Sequence, residues 1–386
     1  MRVLLLHDDG ENALKITIFG LTISSSWGNG HATPYRALLR GLARLGHQVT
    51  FYEKDVEYYY WRRDFTSCDY CNLMLYGSWT EVRQRAMAES AESDAVVVGS
   101  YCPEGARISD EVLALERPLR IFYDLDTPIT LARLGTEDLV YLRRDQMSTF
   151  DLYLSFTGGE TLRILQDEMG VRQARALYGC VDPAVHARVP ARKEFRCDLS
   201  YMGTYAADRQ HKLEALFMVP AQLMPGGSFV LAGTMYPKGT SWPPNLRRFD
   251  HVAPKDHPAL YSSSRATLNV TRDGMARGGY CPSGRFFEAA ACGTPILSDW
   301  FEGLDSFFRH GEEIYVVNSA EEVLRALQST DEELARVAAR ARARTLAEHT
   351  GNARAAELVR YLEEARHPSE GPVEDAGTRI DLEVAS

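Results

Sequence analysis

Short runs of β-branched and aromatic residues alternate with helical stretches along most of the chain, and the alternation comes in two series. The first series is KITIFGL (15–21), HQVTFYE (47–53), DAVVVGS (94–100), LRIFYD (119–124), DLYLSF (151–156) and RALYG (175–179). Helical stretches lie between them, most clearly 34–45, where Pro34 suits a first-turn position because it has no N–H to lose. Such runs read as strands by length and composition, and strand–helix alternation argues for parallel sheets covered by helices. After Val181 the composition changes. DPAVHARVPARKEF (182–195) is polar and carries proline, as a linker does. The second series then runs DLSYMG (198–203), GSFVLAG (227–233), RATLNVT (265–271), TPILSD (294–299) and EIYVVN (313–318). At 386 residues the chain exceeds the usual size of one core. The expected fold is therefore α/β, two Rossmann-like doubly wound domains facing across a cleft, over 1–182 and 183–350. Residues 331–362 read as one or two helices, and 367–386 lacks a core pattern and reads as a disordered tail. Ligands of open α/β sheets bind at the carboxyl ends of strands, so the informative residues belong in the loops that follow them.

Charge and cysteine usage narrow the partners. The formal net charge is -10, which argues against nucleic acid and strongly anionic membranes. Arg36, Arg40 and Arg44 form an i, i+4 stripe that reads as a solvated helix face. The opening MRVLLLHDDG has too short an apolar run for a signal peptide, and no segment approaches the ~18 apolar residues of a membrane span. Seven cysteines at scattered spacings fit a reducing cytoplasm rather than a disulfide framework. Cys68 and Cys71 form one CxxC, without the second pair or nearby His that a zinc site of that type needs. No metal is expected.

The densest chemistry lies in SGRFFEAAACGTPILSDWFEG (283–303). Ser283 can cap a helix by accepting a first-turn N–H. Arg285 and Glu288 are three apart and share a face near its start. The rest is Phe and Ala, suited to a buried helix, and Gly293 and Pro295 end it before a short strand. A helix N-terminus beside an Arg suits a diphosphate, and Glu288 just behind can accept hydrogen bonds from ribose hydroxyls. The competing reading is a buried helix whose Arg and Glu pair with each other.

This stretch resembles the donor-site signature of GT-B glycosyltransferases, in particular the CgeB-like (spore-maturation protein B-like) group and, more distantly, family 4 retaining enzymes. SSSWGNGHATPYRALLRGLARLGHQVTFYE (24–53), FYDLDTPITLARL (122–134), LYLSFTGGETL (152–162) and YMGTYAADRQ (201–210) are similar to further parts of that group, in the same order. The resemblance implies a GT-B fold whose last helix, 351–366, crosses back to the first domain. It implies transfer of a sugar from a UDP-, dTDP- or GDP-linked donor without a metal or other cofactor. The acceptor class stays open among small molecules, glycans and proteins. It places the donor on Gly203, Thr204, Tyr205, Arg209, Tyr280, Ser283, Gly284, Arg285 and Glu288, with Val252 and Ala253 at the nucleobase edge. Family 4 enzymes carry a Glu eight residues before the ribose carboxylate; here that position is Tyr280.

In the first half, Gly28-Asn29-Gly30 allows a tight loop that faces the cleft and its acceptor, and His31 can act as a base, cap a helix or contact phosphate. Asp124 and Asp126 spell DxD at a strand end. One reads as structural, and Asp126 reads as the base or acceptor ligand. Gly158 and Gly159 open a helix towards the cleft. Tyr60 and Trp61, in an aromatic cluster with Tyr58 and Tyr59, offer faces to a sugar or flat acceptor, or form a satellite hydrophobic cluster. Two rival readings stay open: a nucleotide-sugar epimerase or hydrolase on the same fold, and a non-catalytic nucleotide-sugar-binding protein.

Overall fold

In the computed structural model, which describes residues 13–136 and 138–367, two parallel sheets take up the two series. Among the described residues the first sheet has seven strands: β1 (Lys15–Gly20), β2 (Gln48–Lys54), β3 (Asn72–Tyr76), β4 (Ala95–Gly99), β5 (Leu119–Asp124), β6 (Leu152–Ser155) and β7 (Ala174–Ala176). Their order is β3-β2-β1-β4-β5-β6-β7. The second has six: β8 (Cys197–Met202), β9 (Phe229–Ala232), β10 (Leu246–Phe249), β11 (Ser264–Asn269), β12 (Ile296–Ser298) and β13 (Tyr315–Val316), in the order β10-β9-β8-β11-β12-β13. The order reverses between β1 and β4 and again between β8 and β11, so each sheet has a crevice at its switch point. The expected two-sheet α/β architecture is the one observed.

Both faces of the first sheet are covered. Ile16, Ile18, Val97 and Ile121 point into one core, while Phe19, Val96, Val98 and Phe122 point into the other. A strand buried on both sides reads as a continuous apolar run, which is why AVVVG was legible as β4. β3 was not expected. It is an edge strand, only partly buried, and its NLMLY lacks β-branched residues.

Eight helices frame the site and its packing. They are α1 (Ala32–Arg44), α2 (Glu57–Tyr60), α3 (Thr127–Arg133), α4 (Ala207–Leu213), α5 (His257–Ser263), α6 (Gly284–Ala291), α7 (Asp331–Glu348) and α8 (Gly351–Arg366). α1 begins two residues before Pro34, which stays in the first turn. The region 331–362 is two helices, α7 and α8. α8 returns to pack on α1 at backbone contact distance. A Cβ on Gly41 would lie 2.2 Å from the Gly351 carbonyl oxygen, and one on Gly351 would lie 2.0 Å from that of Ala37. Only glycine at both positions lets these helices cross so closely. Tyr361 adds a hydroxyl hydrogen bond to the Ala176 carbonyl at the edge of the first sheet (3.1 Å).

The arginine stripe of α1 is not the solvated face its spacing suggested. Arg36 bonds Asp64 (2.6 Å), and both Arg40 and Arg44 reach Asp182 at 3.4 Å, a buried carboxylate at the start of the linker. Arg40 also lies over the Tyr70 ring. Sequence spacing shows that three charges share a face, but not what that face meets. The expected tail from residue 368 onwards and the MRVLLLHDDG segment lie outside the described residues.

Candidate active site in the cleft between two sheets

The loop after β1 is held from beneath by one carboxylate. Glu53, buried at the end of β2, accepts from the Thr22 hydroxyl (2.6 Å), the Ile23 and Ser24 amides (2.8 and 3.0 Å) and the Ser24 hydroxyl. Asn29 is spent inside the same loop. Its amide donates to the Thr22 and Ser25 carbonyls (3.0 and 3.1 Å), and its side-chain oxygen accepts the His31 N–H (2.9 Å). Asn29 therefore positions His31 rather than presenting an amide to a ligand. Gly28 takes φ +59 and packs against the Tyr58 hydroxyl, whereas Gly30 has open space around it.

His31 and Asp126, singled out separately in sequence, meet in space. His31 Nε2 lies 2.6 Å from Asp126 Oδ2, with side-chain exposures of 10% and 25%. The other ring nitrogen, Nδ1, has no partner among the described residues. The two aspartates of DxD do different work. Asp124 is wholly buried and accepts from the Asp126 N–H (3.0 Å), the Thr130 hydroxyl (3.0 Å) and the Tyr153 hydroxyl (2.7 Å). Burial pushes its carboxyl up to about 6 against the pull of those bonds. Asp124 anchors the turn into α3, and Asp126 is the member left for the cleft. Tyr101, in the loop after β4, has φ 58 and lays its ring 5.9 Å from that of His31. Nothing in the sequence marks Tyr101 out, since only the fold brings its loop beside α1.

In the second half, Arg209 and Arg285 lie against one ring. Their guanidinium carbons are 5.9 and 5.6 Å from the centroid of Tyr201, on β8. Arg209 is buried on α4 and donates to the Thr204 carbonyl; Arg285, on α6, reaches the Asn269 side-chain oxygen at 3.4 Å. Among the described residues neither forms an ion pair with a carboxylate, so the expected alternative of an Arg285–Glu288 pair is not what forms. Burial, then the charge of Arg285, pushes the Arg209 pKa down. Among the described residues the Tyr201 hydroxyl is buried without a partner. A buried cation beside a half-buried one, with an orphan hydroxyl, is costly unless an anion joins them. Gly203 makes room for this arrangement, because a Cβ there would sit 2.7 Å from the Tyr201 oxygen.

The loop after β8 spends amides within the protein, and Ser283 does not make the cap its position suggested. The Gly203 and Tyr205 amides are taken by the Ala232 and Thr234 carbonyls (2.8 and 3.0 Å), because the loop after β8 pairs with that after β9. They cannot also cradle a phosphate. Ser283 holds the N-cap position of α6 with extended backbone, but its hydroxyl makes no capping bond. Gly284, the first helical residue, is exposed. The other end of α6 closes as expected. Gly293 at φ +70 and Thr294 donate back to Ala290 and Ala289 (2.9 and 3.1 Å), the 5→2 and 6→1 bonds of a glycine-terminated helix.

Glu288 lies one turn into α6, buried. His257 Nδ1 is 3.6 Å from Glu288 Oε2, and the Tyr261 hydroxyl is 3.5 Å from the same oxygen. Burial alone would raise the carboxyl pKa. The His257 contact, the charges that His186 and His257 carry when protonated, and that of Arg285 outweigh it and lower the group to about 2. At 3.6 Å that His257 contact is electrostatic rather than a formed hydrogen bond. The Val252 carbonyl is engaged by His257 Nε2 (3.2 Å) and the Ala253 carbonyl by the Asp256 N–H (2.7 Å), so both expected base-edge carbonyls already have a partner. Ala253 lines a cavity of about 540 Å³ with His186, Asp182, Arg36, Arg40 and Lys255, between α1 and the linker.

The halves touch at both ends of the cleft. Tyr280, at φ 44, donates its N–H to the Glu302 carbonyl (2.6 Å) and accepts from Gly158 N–H (3.1 Å). Its ring fills the space where Gly159 and Gly303 lack side chains, each imagined Cβ lying 2.3 or 2.4 Å from it. At the other end Trp27 packs on His251, with ring centroids 4.2 Å apart, and Arg62 covers the Trp27 ring. Tyr60 and Trp61, on and just after α2, are exposed at the surface.

Residues 209–360 match the family model described as glycosyl transferase-like. No curated protein matches the chain in sequence. Among solved structures the chain is similar to an alpha-glucosyltransferase in complex with UDP-glucose and DNA containing an abasic site, at TM-score 0.68 and 13% identity over 91% of this chain and 100% of that one. It is also similar to sucrose-phosphate synthase from Thermosynechococcus elongatus, at TM-score 0.63 and 12% identity over 92% and 100%. A third similar structure is Anabaena Alr3699/HepE in complex with UDP-glucose, at TM-score 0.62 and 11% identity over 91% and 100%.

Proposed function

We propose, starting from the GT-B fold these likenesses show, that the protein is a glycosyltransferase using a nucleoside diphosphate sugar. The observation that carries the reading is the pair of guanidinium groups on Tyr201, without a carboxylate between them, beside the uncapped start of α6. A diphosphate leaving group develops charge as the glycosidic bond breaks, and preorganised cations there stabilise that charge. Fork-shaped guanidinium groups suit phosphate oxygens. Glu288, held ionised, accepts the ribose hydroxyls, and the cavity beside Ala253 and His186 receives the base. Across the cleft the acceptor hydroxyl attacks the anomeric carbon. Its proton passes to Asp126, the more exposed member of the pair, while His31 orients that carboxylate.

We divide the chain into an acceptor unit over 1–182, a donor unit over 183–350 and a returning helix over 351–366. The order of motifs supports the CgeB-like group, and the UDP or UDP-glucose bound by the similar structures makes a UDP-sugar the first donor to try. Some of those structures hold DNA; the net charge of -10 here favours a small-molecule, glycan or protein acceptor. Transfer is proposed to proceed without a metal, in the cytoplasm. A second reading, nucleotide-sugar binding without turnover, is favoured by Tyr280 standing clamped between two glycines rather than presenting a carboxylate.

Calorimetric titration with UDP, GDP and dTDP, with and without Mg2+, tests the donor site. One nucleotide is expected to bind the wild type without metal and to lose at least about 10-fold in affinity in Arg285→Ala, as loss of a charge-assisted contact predicts. Absence of binding by all three overturns the reading. Donor consumption with candidate acceptors then separates transfer from binding alone.

A further inference from the structure

His186, His257 and Glu288 come from three separate elements, the linker, the start of α5 and the middle of α6, and bring one ligand atom each to within 4.8 Å of one another. The carbonyl of Val252 can only accept, so its contact with His257 Nε2 (3.2 Å) requires the proton on that nitrogen. In the neutral ring, Nδ1 then presents a lone pair towards Glu288 Oε2, 3.6 Å away. His186 Nδ1 is likewise buried, and among the described residues both Nδ1 atoms lack a hydrogen-bond partner. With His186 Nδ1 also carrying its lone pair, two imidazole nitrogens and a carboxylate meet in a largely buried space, where a cation among them offsets their mutual repulsion.

We propose that these three residues form a zinc-type divalent-cation site, at which the ion competes with the nucleotide for Glu288. Two imidazoles and one carboxylate are the ligand class of three-ligand zinc sites, with a fourth position open to water or a hydroxyl. The His257–Val252 contact is the outer hydrogen bond that fixes the tautomer of a metal-binding histidine. Metal–ligand bonds of about 2.0–2.1 Å in a tetrahedral shell place neighbouring ligand atoms about 3.3–3.5 Å apart. The His257–Glu288 pair is nearly there, and modest side-chain rotation brings His186 in. The competition rests on the donor reading above; the metal site does not.

Cys68 and Cys71 hold their sulfurs 3.3 Å apart and would themselves take up zinc, so the test uses the full chain carrying Cys68→Ser and Cys71→Ser. Metal-free protein is titrated with Zn2+, alone and with saturating UDP, and Co2+ absorbance is recorded in parallel. One Zn2+ per chain is expected, weakened at least about 10-fold by His186→Ala and by His257→Ala, each checked for retained folding by circular dichroism. The Co2+ spectrum should show tetrahedral bands without a thiolate charge-transfer band. No stoichiometric uptake overturns the site, as does uptake indifferent to both substitutions; in either case a proton alone joins the three groups. UDP and Zn2+ should weaken each other by the same factor. Independent binding of the two overturns the competition. Zinc binding with no binding of UDP leaves the site standing and sinks the donor reading.

Discussion

At the carboxyl ends of the first sheet the ionisable groups answer one another. His31 meets Asp126, Asp124 takes three donors, and Glu53 ties down a whole loop. At the matching ends of the second sheet Arg209 and Arg285 crowd one aromatic ring, and the Tyr201 hydroxyl beside them is unpartnered among the described residues. The two sheets have the same switch-point construction, so architecture does not explain the difference. Where charges are already paired, the protein has set the geometry of a reacting group. Where a buried and a half-buried charge of one sign are left together, a ligand is proposed to complete them. The first arrangement suits proton transfer, and the second suits an anion.

The largest effect should come from the paired side. Asp126→Asn is expected to lower kcat by about 10²–10⁴-fold with nucleotide affinity unchanged, measured by donor turnover alongside calorimetry. Arg285→Ala should lower kcat/KM by about 10²–10³-fold and weaken nucleotide binding as well. If Asp126→Asn removed nucleotide binding and Arg285→Ala spared it, the contrast between the halves would be inverted.

A smaller effect probes the contact that joins them. Gly159→Ala forces an alanine into φ +57 with its Cβ 2.3 Å from the Tyr280 ring, and should cost roughly 2–4 kcal/mol in denaturant unfolding. Gly30→Ala, with open space around it, should stay within about 0.5 kcal/mol. Equal costs would mean that the Tyr280 clip contributes nothing.

The smallest effect concerns His349, between α7 and α8. It packs against Phe287, Phe307 and Phe308 and accepts from Arg354 (2.8 Å). Burial, with Arg354 and Arg344, pushes its pKa down from 6.5 to about 3. The folded state then binds fewer protons than the unfolded one. The stability His349 contributes is present above pH 6.5 and is lost as pH falls from there towards 3. Asp124, raised from 3.8 to about 6, acts in the opposite sense, its stabilisation fading as pH rises through that window. The comparison is therefore between wild type and His349→Phe. The variant should lose about 2–3 kcal/mol less between pH 6.5 and 4.5, read from urea unfolding curves. Parallel curves would refute the shift.

The backbone plan was legible because it depends on local pattern. A strand buried on both faces must be apolar along its length, and a glycine-ended helix must carry its glycine, so β4 and the end of α6 could be read directly from AVVVG and ACGTP. β3 escaped because an edge strand is under neither constraint. Side-chain partnerships were legible only in part. His31 and Asp126 were chosen for their chemistry, but their 2.6 Å contact depends on β1 and β5 opening onto the same crevice.

The chain's sequence alone determined two α/β units, the loops that could carry chemistry, and the residue types placed there. Tertiary structure decided what those residues meet. It gave the arginines of α1 to Asp64 and Asp182 and withdrew the Gly203 and Tyr205 amides into a neighbouring loop. It also wedged Tyr280 between two glycines and gathered His186, His257 and Glu288 from distant segments. The physical reason is range. Strand and helix patterns follow from neighbours a few residues away, whereas a charge or a hydrogen-bond donor is satisfied by whatever the fold brings within about 3 Å, and no local pattern names that partner.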